Sequence, residues 1–137
     1  MKKVLILFRK YPFSTLCITA IWILCLMPIP ETPLSHVKLI DKWTHLVMYG
    51  GLCATIWIDR ARLGIANNRK GTAIYAVALP IIMGGLIELA QAYCTAGMRS
   101  GEWLDWAADT LGVAIGQPIG ILLAMCLAKW KRGHAAD

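Results

Sequence analysis

Residues 103–128 read WLDWAADTLGVAIGQPIGILLAMCLA, and the fold class turns on this stretch. About 17–25 predominantly apolar residues cross a bilayer's hydrocarbon core, so it is long enough to span. Yet Asp105 and Asp109 stand in its first turns. If the helix starts at Trp103, a rise of about 1.5 Å per residue puts Asp109 roughly 9 Å below Trp103. Carboxylates at that depth pair with one another's partners or line a wet cavity rather than face lipid. The stretch therefore belongs to a bundle with a polar interior.

Three further apolar stretches surround it. The sequence predicts an all-α integral membrane bundle of four transmembrane helices, at about 12–29, 40–58, 72–95 and 103–128, in a single domain covering 1–137. Composition agrees: 58% of the 137 residues are hydrophobic and 16% charged, and the mean hydropathy is +0.57. A soluble domain averages roughly 45–50% apolar and about 25% charged. A chain of this size cannot hide such an excess in a core. A soluble globular enzyme is excluded, and so is disorder. Pro80 and Pro118 interrupt the third and fourth stretches, where kinks are tolerated in lipid. The first stretch ends in Met27-Pro28-Ile29-Pro30-Glu31, which lacks the small-residue pattern of a cleavage site. It reads as an uncleaved anchor.

In a soluble protein the net charge of +6 would point to nucleic acid. Here it reports topology, and no nucleic-acid partner is expected. Lys2, Lys3, Arg9, Lys10, Arg60, Arg62, Arg69, Lys70, Lys129, Lys131 and Arg132 fall on one side, which is eleven of the fourteen basic residues. Lys38, Lys42 and Arg99 fall on the other. The positive-inside bias places both termini in the cytoplasm of a multi-pass bacterial inner-membrane protein. The five cysteines lie in apolar stretches and read as small packing residues. The tryptophans at 22, 43, 57, 103, 106 and 130 read mostly as interface anchors.

The acidic residues run the other way. Glu31, Asp41, Glu88, Glu102, Asp105 and Asp109 map to the outer half, while Asp59 and Asp137 map to the cytoplasmic side. Glu102, Asp105, Asp109, Gly112 and Gly116 follow steps of 3, 4, 3 and 4, so they share one helix face. Below them, Gly112, Gly116 and Gly120 at four-residue spacing admit close approach of another helix. Gly84, Glu88, Gln91 and Thr95 form a similar stripe on the third helix, and Lys42, His45 and Tyr49 on the second. The three stripes are expected to face one another near the outer end. No polar stripe is expected in the cytoplasmic half.

Asp41, Glu88, Glu102, Asp105 and Asp109 set against Lys42 and Arg99 leave a formal charge of −3. Protons, a divalent cation or a cationic ligand would each take up that surplus. Two carboxylates and a histidine also supply a general acid and base. Asp105, Asp109, Glu88 and His45 are the candidate catalytic residues. Asp41, Lys42, Tyr49, Gln91 and Arg99 are the candidate ligand-binding residues, with Lys42 and Arg99 suited to an anionic headgroup.

The segments DKWTHLVMY (41–49), IELAQ (87–91) and MRSGEWLDWAADTLGVAIG (98–116) together resemble the VanZ-like family of small membrane proteins. The residues carrying the resemblance are Asp41, Lys42, His45, Tyr49, Glu88, Gln91, Arg99, Asp105, Asp109, Gly112 and Gly116. Many family members carry Asn where this chain has Asp109, so its site is more acidic. The resemblance implies a role at the cell envelope, with a contribution to glycopeptide resistance of the teicoplanin type. It implies no particular reaction. The expected partners are the bilayer itself and a cell-envelope lipid or lipid-linked precursor. An enzyme acting on that molecule and a module that only binds it both fit the residues. A proton-coupled transporter, or a structural protein without chemistry, is the alternative reading.

Overall fold

The computed structural model describes residues 6, 8–28, 39–65 and 68–134. Among them it is all-helical, with no strand. The LVMY segment and its neighbours form α2, Ile40–Arg62, preceded by α1, Pro12–Leu26. The next rod, here α3, is built from Arg69–Ala73, a π-helical turn at Ile74–Ala78, and Leu79–Cys94. The last helix, α4, is Trp103–Gly133. The expectations on Lys2, Lys3, Glu31, Lys38 and Asp137 lie outside the described residues.

Helix ends depart from the spans read in the sequence, each for a local reason. α1 stops at Leu26 because Met27 is extended (ψ 148°), the conformation a following proline such as Pro28 imposes. α2 runs past residue 58 to Arg62, because Asp59 and Arg60 find buried partners there. α3 begins at Arg69, where the Asn68 side chain accepts the Gly71 N–H at 3.0 Å as a helix cap. α4 continues past residue 128 and passes through Pro118 without a break.

Pro80 explains the π-helical turn. A proline has no N–H and its ring crowds the carbonyl four residues back, here that of Ala76. The widened turn releases that carbonyl, and Gln117 Nε2 of α4 donates to it at 2.8 Å. Gln117 Oε1 in turn accepts from Trp57 Nε1 of α2 at 2.9 Å. Three helices are thus joined at one glutamine. Trp57 is accordingly not an interface anchor but part of the bundle.

Neighbouring pairs fix the topology. Ser14 of α1 meets Asp59 of α2, Cys25 of α1 meets Gln91 of α3, and Gly112 of α4 meets Leu46 of α2. The helices therefore alternate up and down, with α2 parallel to α4. The start of α1 and the end of α4 lie at the same end of the bundle, where Lys131 Nζ donates to the Arg62 carbonyl at 3.0 Å.

The α2–α4 contact is the tightest. A Cβ on Gly112 would collide with the Leu46 carbonyl, and one on Gly116 would lie 2.6 Å from the Gly50 carbonyl oxygen. Small residues here let the backbones touch. Around this seam the core holds Ile21, Cys25, Tyr49, Leu52, Cys53, Ile56, Ala76, Ile87 and Val113. Outward faces are apolar as well: Leu86, Leu89, Leu111, Ile115, Leu122 and Met125 are all exposed. Among the described residues two helices, Lys70–Cys94 and Trp103–Gly133, are long and apolar enough to cross a membrane.

Candidate functional site

At the end of the bundle remote from the start of α1 and the end of α4, α2, α3 and α4 turn their polar residues toward one another. His45 points from the first turns of α2, Glu88 from the last turns of α3, and Asp105 and Asp109 from the first turns of α4. Helical spacing selects them: residues three and four apart share a face, and these faces are the ones that the glycine seam brings together.

His45 is the hub. Its Nδ1 lies 2.9 Å from Asp109 Oδ1 and 3.8 Å from Glu88 Oε1. All three side chains are buried, Asp109 completely. Room for Asp109 comes from Gly84, where a Cβ would sit 2.6 Å from Asp109 Oδ2. Glu88 Oε2 accepts the backbone N–H of Glu102 at 2.8 Å, which ties the head of α4 to α3. Toward the rim, Lys42 Nζ lies 2.6 Å from Glu102 Oε2 and 2.9 Å from Asp105 Oδ1. Arg99 Nη2 stands 3.8 Å from Asp41 Oδ1.

The four candidate catalytic residues and Lys42 are therefore one connected cluster. Tyr49 is fully buried one turn below His45, its hydroxyl without a hydrogen-bond partner. Gln91 serves the packing: its Nε2 donates to the Cys25 carbonyl at 2.9 Å and holds α1. Arg99 and Asp41 sit at the rim, where the Thr95 hydroxyl accepts the Arg99 backbone N–H at 3.1 Å and shapes the α3–α4 turn. Glu102 is a member of the cluster through both Lys42 and Glu88.

Several buried polar atoms here have no hydrogen-bond partner among the described residues: His45 Nε2, Tyr49 Oη, Glu88 Oε1, Gln91 Oε1 and Asp109 Oδ2. Native proteins rarely leave such atoms unpaired. Glu88 Oε1 and Asp109 Oδ2, as carboxylate oxygens, and Gln91 Oε1 are acceptors. A group that satisfies those three supplies positive charge or donors.

The other end of the bundle holds a second polar cluster, contrary to expectation. Asp59, fully buried, accepts from Ser14 N and Ser14 Oγ, both at 2.8 Å, and from Arg62 Nη1 at 3.0 Å. It thereby caps the N-terminus of α1 from a neighbouring helix. Beside it Arg60 is buried, with its Nε donating to Thr72 Oγ1 at 3.0 Å and its guanidinium over the Tyr75 ring at 5.3 Å. The signal was present: positions 45, 49, 52, 56 and 59 step by 4, 3, 4 and 3 along the buried face of α2. Among the described residues no buried side-chain polar atom of this second cluster lacks a hydrogen-bond partner, so its role is to join helices.

No family model, curated protein or solved structure matches the chain.

Proposed function

We propose that this chain is a VanZ-like protein that crosses a bacterial inner membrane four times, with both termini cytoplasmic. Its polar centre opens to the outer side and engages the charged headgroup of a cell-envelope lipid or lipid-linked precursor. The observation that carries this reading is the convergence of His45, Lys42, Glu88, Asp105 and Asp109 from three helices at one end of the bundle. Charges at a helix end inside an apolar bundle are costly unless they are fully paired or serve a ligand or a path, and Glu88 and Asp109 share the single partner His45.

Orientation draws support from the opposite end. Arg9, Lys10, Arg62 and Lys131 line one groove there with Phe13 and Trp130, the composition of a cytoplasmic membrane interface. Leu52, Cys53 and Ile56 stand between the two polar clusters along α2. That apolar block disfavours a transport path and favours a site reached from one side.

At the site Lys42 holds the anionic part of the headgroup, and the His45–Asp109 pair gives it acid–base capacity. Binding such precursors is a direct route to glycopeptide resistance of the teicoplanin type, because it changes what the antibiotic meets. The test is mass spectrometry of membrane lipids and wall precursors. Cells making the native chain are compared with cells making equal amounts of folded Asp105→Asn. A precursor retained or altered only by the native chain supports the reading. Identical profiles, with no precursor co-purifying with either protein, overturn it.

A further inference from the structure

We propose that His45, Glu88 and Asp109 form a binding site for one divalent cation of the Mn2+ or Zn2+ class. The inference rests on reading the polar centre as the functional site, and it names what that centre holds besides the headgroup.

Geometry comes first. The three residues each place a candidate ligand atom within 4.8 Å of the other two, and all three are buried. An octahedral ion with bonds of about 2.1 Å keeps neighbouring ligands about 3.0 Å apart. His45 Nδ1 and Asp109 Oδ1 stand at 2.9 Å. Glu88 Oε1, 3.8 Å from the same nitrogen, has to close by roughly 0.8 Å to take an adjacent position.

Charge comes second. Among the described residues, His45 is the sole ion-pair partner of both Glu88 and Asp109. One imidazole carries at most a single positive charge against two carboxylates. Lys42 and Arg99 pair with Glu102, Asp105 and Asp41. A second triad, Asp41, His45 and Asp105, has similar spacing, but each of its carboxylates has a lysine or arginine beside it. Glu88 and Asp109 have neither among the described residues.

Unpartnered atoms come third, and independently. Glu88 Oε1 and Asp109 Oδ2 are buried with no hydrogen-bond partner, as is Gln91 Oε1 one turn from Glu88. Buried acceptors without donors are costly. A cation satisfies several at once, and two carboxylates with an imidazole suit a borderline-hard divalent ion. Three protein ligands leave coordination positions open. A phosphate oxygen suits such a position, so a headgroup carrying a phosphate ester or diphosphate is the class this ion would bind.

The experiment uses the full chain in lipid nanodiscs, stripped with EDTA and titrated with Mn2+ while electron paramagnetic resonance follows the free ion. One Mn2+ per chain is expected, displaced by Zn2+, with histidine-nitrogen coupling in the bound spectrum. Glu88→Gln and Asp109→Asn, with native helicity by circular dichroism, should each weaken binding at least tenfold, and Asp41→Asn should not. Absence of stoichiometric binding or of nitrogen coupling in the native chain overturns the assignment, whatever the variants do. Equal weakening by Asp41→Asn and none by Glu88→Gln also overturns it. Precursor capture that persists in EDTA removes the cation and leaves the functional reading standing. Stoichiometric Mn2+ without precursor capture does the reverse.

Discussion

Lys42 of α2 and Asp105 of α4 meet at 2.9 Å, with Asp105 buried and the Lys42 side chain 21% exposed. The pair sits at the rim of the polar centre. Removing the lysine leaves a buried carboxylate without its cation, which is far more costly than removing both partners. Lys42→Met should therefore destabilise the bundle by about 3 kcal/mol, and adding Asp105→Asn should recover a large part of that loss. Unfolding of the two variants in mixed micelles measures both effects.

Asp59 gives a second prediction. Its carboxylate takes the Ser14 N–H and hydroxyl, and Asp59→Ala leaves both without their acceptor and α1 without its cap. The expected loss is about 2–4 kcal/mol, with α1 becoming protease-sensitive near residue 14 while α2–α4 stay protected. Limited proteolysis followed by mass spectrometry reads this out.

The glycine seam gives a third. Gly116→Ala drives a methyl group to 2.6 Å from the Gly50 carbonyl oxygen and should lower stability by about 1–3 kcal/mol. Gly51→Ala, one residue from Gly50 but with nothing within 4 Å of its new methyl, should be neutral or slightly stabilising. The contrast between the two in thermal unfolding isolates close approach from helix propensity.

Orientation is testable with the native cysteines. Cys94, at the end of α3 beside the polar centre, and Cys126, late in α4, are both exposed, whereas Cys25 and Cys53 are buried. In intact spheroplasts a membrane-impermeant maleimide should label Cys94 and spare Cys126. Labelling of Cys126 with sparing of Cys94 would reverse the proposed topology.

Much of the polar centre was legible because helical period converts spacing into adjacency. Steps of three and four at 42–45–49, 88–91 and 105–109 put each set on one face, and the glycines at 112 and 116 announced which faces would meet. Asp59 escaped because a carboxylate among Arg60 and Arg62 looks like a solvated helix end. Only the continued rhythm of the buried face through Ile56 marks it. The π-helical turn was not legible either. Pro80 foretells a disturbance, but its form depends on Gln117, distant in sequence, taking the released Ala76 carbonyl. Gln91 reads as a site residue from its spacing, yet half of it is committed to α1.

The two tethers of α1 bear on the order in which the molecule is made. Ser14 is held from α2 and the Cys25 carbonyl from α3, so α1 gains one anchor only after residue 59 is synthesised and the other only after residue 91. Chain order and fastening order thus differ for α1: its second tether waits for the end of α3, although all of α2 lies between them in the sequence.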